Sequence, residues 1–277
     1  MTVSTHDPAG GWKRYWGFSR TPFAKQLAPS ELFDHPGHKE AAARIRFAID
    51  ENAIALVTGE VGAGKTVAVR AAIESLDASA HTIIYVGNAG IGARGIHQHI
   101  AYHLGVAPRF HRGALIAQTA DLLARERDER HKRTVLAVDE AHLCEADQLE
   151  QLRMLTNFSL DSDSPLALVL IGQPSLRRTL RRGSFAALDQ RIAVRANLDP
   201  LPTEQAISYL AHHLALAGRT DAIFADDAAA TLVHAARGLP RQIGNLAVAA
   251  LIAGYTRNNR IVDHDCATAA VADHTTD

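Results

Sequence analysis

One octapeptide restricts the folds open to this 277-residue chain more than anything else in it: Gly59-Glu60-Val61-Gly62-Ala63-Gly64-Lys65-Thr66. The run matches G-x-x-x-x-G-K-[ST] at every fixed position. An apolar stretch at 53–57 reads as a buried strand before it, and 66–76 reads as a helix after it. A strand, a glycine loop and a helix in that order make a phosphate cradle. Glycine lets the backbone wrap a phosphate without Cβ clashes, and successive N–H groups at a helix N-terminus supply positive potential. Lys65 is expected to reach the β- and γ-phosphates, and the Thr66 hydroxyl to bind Mg2+. The expected cofactors are therefore ATP and Mg2+. Every residue of the octapeptide is a candidate contact, together with Val67 just inside the helix. The competing reading is a plain glycine turn, and it is set aside because motif and context agree.

A second apolar run, Thr-Val-Leu-Ala-Val at 134–138, ends in Asp139 and Glu140. Alone, such an ending is a common solvated strand tip. Paired with a P-loop upstream, it reads as a magnesium ligand, direct or through a bound water (Asp139), followed by a residue placed to polarise water for attack on the γ-phosphate (Glu140). The run at 166–171 ends in Gly172-Gln173-Pro174. In P-loop ATPases with a catalytic Glu, such a strand lies between the P-loop strand and the acidic strand. Gln173, polar and uncharged, is then placed to orient the water; the alternative is a polar loop residue before proline. The expected catalytic set is Lys65, Asp139, Glu140, Gln173 and an arginine, Arg191.

Strands and helices alternate around these motifs. Apolar runs at 53–57, 82–86, 134–138 and 166–171 read as buried parallel strands, with a shorter fifth at 192–194. Helical patterns cover 66–76, 94–104, 114–130 and 145–158, which predicts a parallel sheet with helices on both faces. After Pro200 and Pro202 the strand signals stop, and 203–217, 225–237 and 241–255 read as helices. Residues 1–11 read as a loose tail. The aromatic stretch Trp12, Tyr15, Trp16, Phe18 and Phe23 reads as packed but irregular, and 38–52 as a helix with Ala42, Ile45 and Ile49 on one face. The expected domains are 1–50 (tail, aromatic segment and helix), 51–202 (P-loop core) and 203–277 (helical lid and C-terminal tail).

Composition enters as exclusion. At 47% hydrophobic and 21% charged the chain expects a normal core. A net charge of -1 rules out a wholly basic nucleic-acid coat but not a local basic face. Two distant cysteines, Cys144 and Cys266, fit a reducing cytoplasm, and no run is long enough to span a bilayer. A cytoplasmic location is expected. Fifteen histidines lack the partners of a metal site. Between 177 and 195 six arginines face a single acid, Asp189; the ordinary explanation is a solvated helix face. Within that run Arg191 is a candidate to complete a neighbour's site. Arg241, after Pro240, is a candidate to reach phosphate from the start of a helix.

The phrases YWGFSRTPF, GEVGAGKT, VDEAH, LEQLRMLTNF, LVLIGQPSL, LDQRI and GLPRQIGNL resemble, in order, the ExeA-type AAA+ ATPases, over residues 15–255. The resemblance implies a AAA+ core, a helical lid and ATP-dependent homo-oligomers in rings or filaments. It implies Gln173 as sensor 1, Arg191 as the finger and Arg241 as sensor 2, with Phe18 and Phe23 beside the adenine. His142 departs from the Gln of many members, and Gly244 precedes Asn245 where Ile-Asn is common. One branch is secretion-associated and adds a membrane segment and a wall-binding part, neither of which is visible here. The other branch, similar to TniB, TnsC and Mu B, regulates transposition. Length favours the second. The first expectation is therefore a DNA transposition regulator with further copies of itself, duplex DNA and a DDE transposase as partners, and no membrane. The alternative is an ATPase acting on protein partners in secretion or envelope assembly. Candidate DNA contacts are Arg94 in the glycine-rich loop after the second strand, and Arg109 and Arg112 in Pro-Arg-Phe-His-Arg.

Overall fold

The computed structural model describes residues 11–24, 27–157 and 164–275. Residues 1–10 of the expected 1–11 tail and the expected helix end at Phe158 lie outside these, while Gly11 begins a helix. The chain divides into two compact units: residues 36–199, and residues up to 35 together with those from 200 onward. The expected 1–50 segment is thus split at His35–Pro36, because its helix packs on the sheet unit while the aromatic stretch packs with the C-terminal helices.

In the aromatic stretch a short helix, α1 (Gly11–Trp16), replaces the irregular segment expected. The sheet unit then opens with α2 (Pro36–Asp50), two residues earlier than expected. Proline suits a first helical turn, where its missing N–H costs nothing. The buried face of α2 is Ala41, Ile45, Ala48 and Ile49, the three-and-four spacing of one helix stripe; Ala41 rather than Ala42 takes the inner position. Strands and helices follow as β1 (Ile54–Gly59), α3 (Lys65–Glu74), β2 (His81–Val86), α4 (Gly92–His103), α5 (Arg112–Asp128), β3 (Arg133–Val138), α6 (Ala146–Leu155), β4 (Leu166–Gly172), α7 (Pro174–Leu180), α8 (Ala186–Arg191) and β5 (Ile192–Leu198).

All five strands are parallel, in the order β2-β3-β4-β1-β5. Every residue of β1 and β4 is buried, as a central strand covered on both faces requires. The edge strand β5 alternates instead: Ile192, Val194, Ala196 and Leu198 point inward, while Ala193 and Asn197 are exposed. That alternation is why the sequence signals only three of its seven residues. β4 lies between the P-loop strand and the acidic strand, as expected.

The other unit continues with α9 (Thr203–Leu216), α10 (Asp226–Ala235), α11 (Pro240–Thr256) and α12 (His264–Thr275). α12 replaces the expected tail. Its weak amphipathic pattern, rich in alanine and threonine, hides a helix whose Cys266, Ala267 and Ala270 are buried. Trp16 is almost fully buried against α11: its indole N–H donates to the Leu251 carbonyl at 2.9 Å, and Gly254 leaves room for its ring. No helix among the described residues is long and apolar enough to cross a membrane.

Candidate functional site

The octapeptide joins the end of β1 to the start of α3. Gly62 and Gly64 hold φ of 85° and 92°, backbone that L side chains rarely adopt. A Cβ on Gly64 would lie 2.5 Å from Nε2 of His38, and one on Gly59 would lie 2.6 Å from the Leu198 carbonyl. The loop is therefore closed by glycine on both sides. Lys65, 8% exposed, donates from Nζ to the carbonyls of Gly59 and Glu60, both at 2.9 Å. A buried ammonium held over a loop of backbone N–H groups is a charge arrangement that an anion completes. Glu60 and Val61 are exposed on the loop, Ala63 is buried, and Val67 is half-buried in the first turn of α3. His38 faces the loop with Nε2 3.1 Å from the Ala63 carbonyl, and burial pushes its pKa down.

Asp139 follows the last residue of β3 and is 6% exposed. Three donors hold its carboxylate. Oδ1 accepts from the Glu140 N–H at 2.8 Å; Oδ2 accepts from the Thr66 hydroxyl at 3.1 Å and from the Tyr85 hydroxyl at 2.7 Å. The Thr66 bond brings the two sequence motifs together. Because Thr66 is itself exposed, its hydroxyl remains reachable from solvent. Burial, then the bond to Asp139 and the nearby carboxylate charges, push the Tyr85 pKa up, so the phenol stays a donor. This chemistry fits Mg2+ at a carboxylate and a hydroxyl beside a phosphate cradle.

Glu140 has φ of 52°, unusual for a residue with a side chain. It starts a 3-10 turn, Ala141–Leu143, and its carboxylate is about half exposed. Nδ1 of His142, buried and without a hydrogen bond, lies 3.4 Å from Glu140 Oε2. A non-glycine residue held in left-handed backbone costs on the order of 1–3 kcal/mol, and such strain gathers at sites of chemistry. Gln173 caps α7 directly after β4, with Pro174 in the first turn. The strand order puts that tip between the tips of β1 and β3. A Cβ on Gly172 would lie 3.1 Å from the His142 nitrogen, so the β4 tip and the turn after Glu140 are close neighbours.

Of the remaining expected residues, Arg191, Arg94, Arg109 and Arg112 belong to the sheet unit, and Arg241, Phe18 and Phe23 to the helical unit. Arg191, the last residue of α8, is half-buried and donates to the Thr156 hydroxyl at 3.2 Å. Arg241 is exposed at the second position of α11, whose first turn contains Pro240 as expected. Phe18 is buried in the helical unit, edge-on to Trp12 at 6.0 Å. Phe23 stacks on His213 at 5.0 Å, and burial pushes the His213 pKa down to about 4. Arg94 stands in the first turn of α4 rather than in a glycine loop. Its guanidinium lies 5.1 Å over the Phe110 ring and donates to the Phe110 carbonyl at 2.9 Å. Arg112 pairs with Asp147 at 2.8 Å, while Arg109 is exposed. Tyr85 and His38 had no signal in the sequence: one is an ordinary strand residue, the other an ordinary helix residue, and only folding brings them to the motifs.

A parallel P-loop sheet with the extra strand between cradle and acidic pair defines a AAA+ ATPase domain, and the AAA domain family matches residues 49–180. Within that class the chain is of the ExeA type: it is 33% identical over 267 residues to General secretion pathway protein A of Aeromonas hydrophila. The match covers 94% of this chain and 48% of that protein, so the chain spans about half the length of the curated relative. Two solved structures share the fold. The Aeropyrum pernix ORC2 protein, in ADPNP–ADP complexes, superposes with a TM-score of 0.69 at 16% identity, covering 94% of this chain and 72% of that one. The Aeropyrum pernix ORC1 protein in complex with DNA gives 0.64 at 18% identity, covering 88% and 67%.

Proposed function

We propose that this chain binds ATP with Mg2+, hydrolyses it, and uses the cycle in an oligomer to act on protein partners in secretion or envelope assembly. The observation that carries the nucleotide reading is the Thr66–Asp139 bond at 3.1 Å, with Glu140 next in the chain. Lys65 neutralises phosphate charge; Thr66 and Asp139 would hold the metal. Bound Mg2+ would draw charge from the phosphate oxygens. Glu140 takes the proton of an attacking water, and Gln173 orients that water. Arg191 and Arg241 serve as nucleotide-sensing arginines, Arg191 toward a neighbouring copy after release from Thr156.

The partner class rests on the relative named for secretion, 33% identical over nearly all of this chain. Transposition, the first expectation from the sequence, is the weaker reading. Its three candidate DNA contacts include one arginine already ion-paired and one stacked on an aromatic ring. Likeness to a DNA-bound structure at 18% identity speaks for the fold alone. Phosphate release separates the readings. Glu140→Gln should lower turnover by about 100-fold or more, the usual worth of a general base, while binding persists; undiminished turnover would remove Glu140 from the role. Duplex DNA should leave wild-type turnover unchanged. A several-fold stimulation would restore the DNA reading.

A further inference from the structure

We infer that the sheet unit carries a second anion site, sharing no residue with the P-loop cradle, that takes a phosphoryl group. It stands on the arginine run at 177–195, which the nucleotide chemistry leaves mostly unused. Across the parallel β1–β5 pair, Leu56 lies opposite Arg195 and Thr58 opposite Asn197. The period of two puts Arg195 and Asn197 on the same face of the edge strand, the face that β5 leaves open. Arg44 from α2 and Arg177 from α7 border the same space. The result is a cavity of about 260 Å³ lined by Arg44, Thr58, Arg177, Arg195 and Asn197, with no carboxylate in its lining.

Three guanidinium groups from three elements repel one another unless something negative joins them. Part of the compensation comes from outside the lining. Arg44 pairs with Glu40 at 2.5 Å and donates to the Arg195 carbonyl at 2.7 Å; Arg195 pairs with Asp189 at 3.0 Å. These bonds also aim the two side chains. Arg177 has no carboxylate within ion-pairing distance among the described residues; the Asp199 carboxylate accepts from the Asn197 amide beside the lining, so the positive excess rests on Arg177 together with the exposed arginines that follow it. Arg178, Arg181 and Arg182, all exposed, add to the local positive potential. The guanidinium fork matches oxyanions bidentately. A carboxylate offers two oxygens and satisfies one fork, whereas a phosphoryl group offers three or more and can meet arginines converging from different sides. The cavity is smaller than the roughly 300–1,000 Å³ of sites that engulf a whole drug-sized ligand. It therefore suits a phosphoryl head, either free or on a larger molecule.

The test is calorimetric titration of inorganic pyrophosphate into the full chain carrying Lys65→Ala, which disables the cradle. One salt-sensitive site should remain. Adding Arg177→Ala should weaken it roughly tenfold or more, the scale of one lost charge-assisted fork. Arg177→Lys should fall between, since charge stays and the fork goes. Arg177 is exposed, so these variants should melt with the parent. Competition with AMP distinguishes the sources: displacement of pyrophosphate shows that a phosphoryl group on a larger molecule enters, and its failure shows a site for small free oxyanions; each supports the site. No residual binding, a residual site indifferent to Arg177→Ala, or equal affinity for acetate would overturn it. The outcome is independent of whether Glu140 drives hydrolysis.

Discussion

Asp139→Asn separates what this carboxylate does for the fold from what it does for the metal. The carboxylate accepts three hydrogen bonds, two on Oδ2 from hydroxyls and one on Oδ1 from the Glu140 N–H. Asparagine has a single acceptor oxygen. Placed at the Oδ1 position, that oxygen keeps the Glu140 bond, and the new NH2 faces Thr66 and Tyr85. Both are hydroxyls and can rotate to accept, so no buried donor is orphaned. The cost is the loss of charge assistance on three bonds, about 1 kcal/mol each at most, and water reaches Thr66 and Tyr85; the net loss is about 1–3 kcal/mol. Metal binding has no such escape: the anionic charge is lost in either orientation of the amide, and with its oxygen kept by the Glu140 N–H the remaining NH2 cannot ligate a cation. Urea unfolding should therefore show a modestly lowered midpoint at unchanged slope. Nucleotide binding titrated with Mg2+ should lose most of its metal dependence. A double-mutant cycle with Tyr85→Phe should show a coupling of about 0.5–2 kcal/mol, since both changes act on one bond. Two results would refute the reasoning: unaltered Mg2+ dependence, or a stability loss above about 5 kcal/mol, the scale of broken buried charge pairs rather than rotated hydroxyls.

Three further outcomes follow from the geometry. Lys65→Ala should abolish measurable ATP binding by calorimetry, because the buried ammonium above the loop is the compensating charge; retained affinity would sink the cradle. His213 is buried, with its pKa lowered from 6.5 to about 4, so the unfolded chain binds the extra proton first. Its stabilising contribution is full above pH 6.5 and is lost as pH falls toward 4, by up to about 3 kcal/mol; urea midpoints at pH 7 and pH 5 should diverge less in His213→Phe, and an equal divergence would contradict this. Trp16→Ala removes a nearly fully buried ring and its bond to Leu251, and should cost about 3–5 kcal/mol; a thermal melt shifted by only a degree or two would show that α1 does not hold the helical unit together.

The P-loop was legible in the chain because it is local: eight consecutive residues carry both the backbone demand, met by Gly62 and Gly64 at positive φ, and the lysine charge beside it. Strand cores were legible for a related reason, since β1 and β4 are covered on both faces and must be apolar throughout. Where burial is one-sided, or is made by small side chains, the signal fades. β5 at the edge keeps every second residue for solvent, and α12 is built of small residues that bury without a strong stripe. What only the tertiary structure decided is who meets across distance. Tyr85 reaches Asp139 over 54 residues because β2 and β3 pair in register. Arg112 loses its freedom to Asp147, 35 residues away on α6. Arg44, Arg177 and Arg195 converge although nothing in their spacing connects them. A motif is dictated by the backbone around it and can be read in place; a charge takes its role from its neighbours, and the sheet order chooses those.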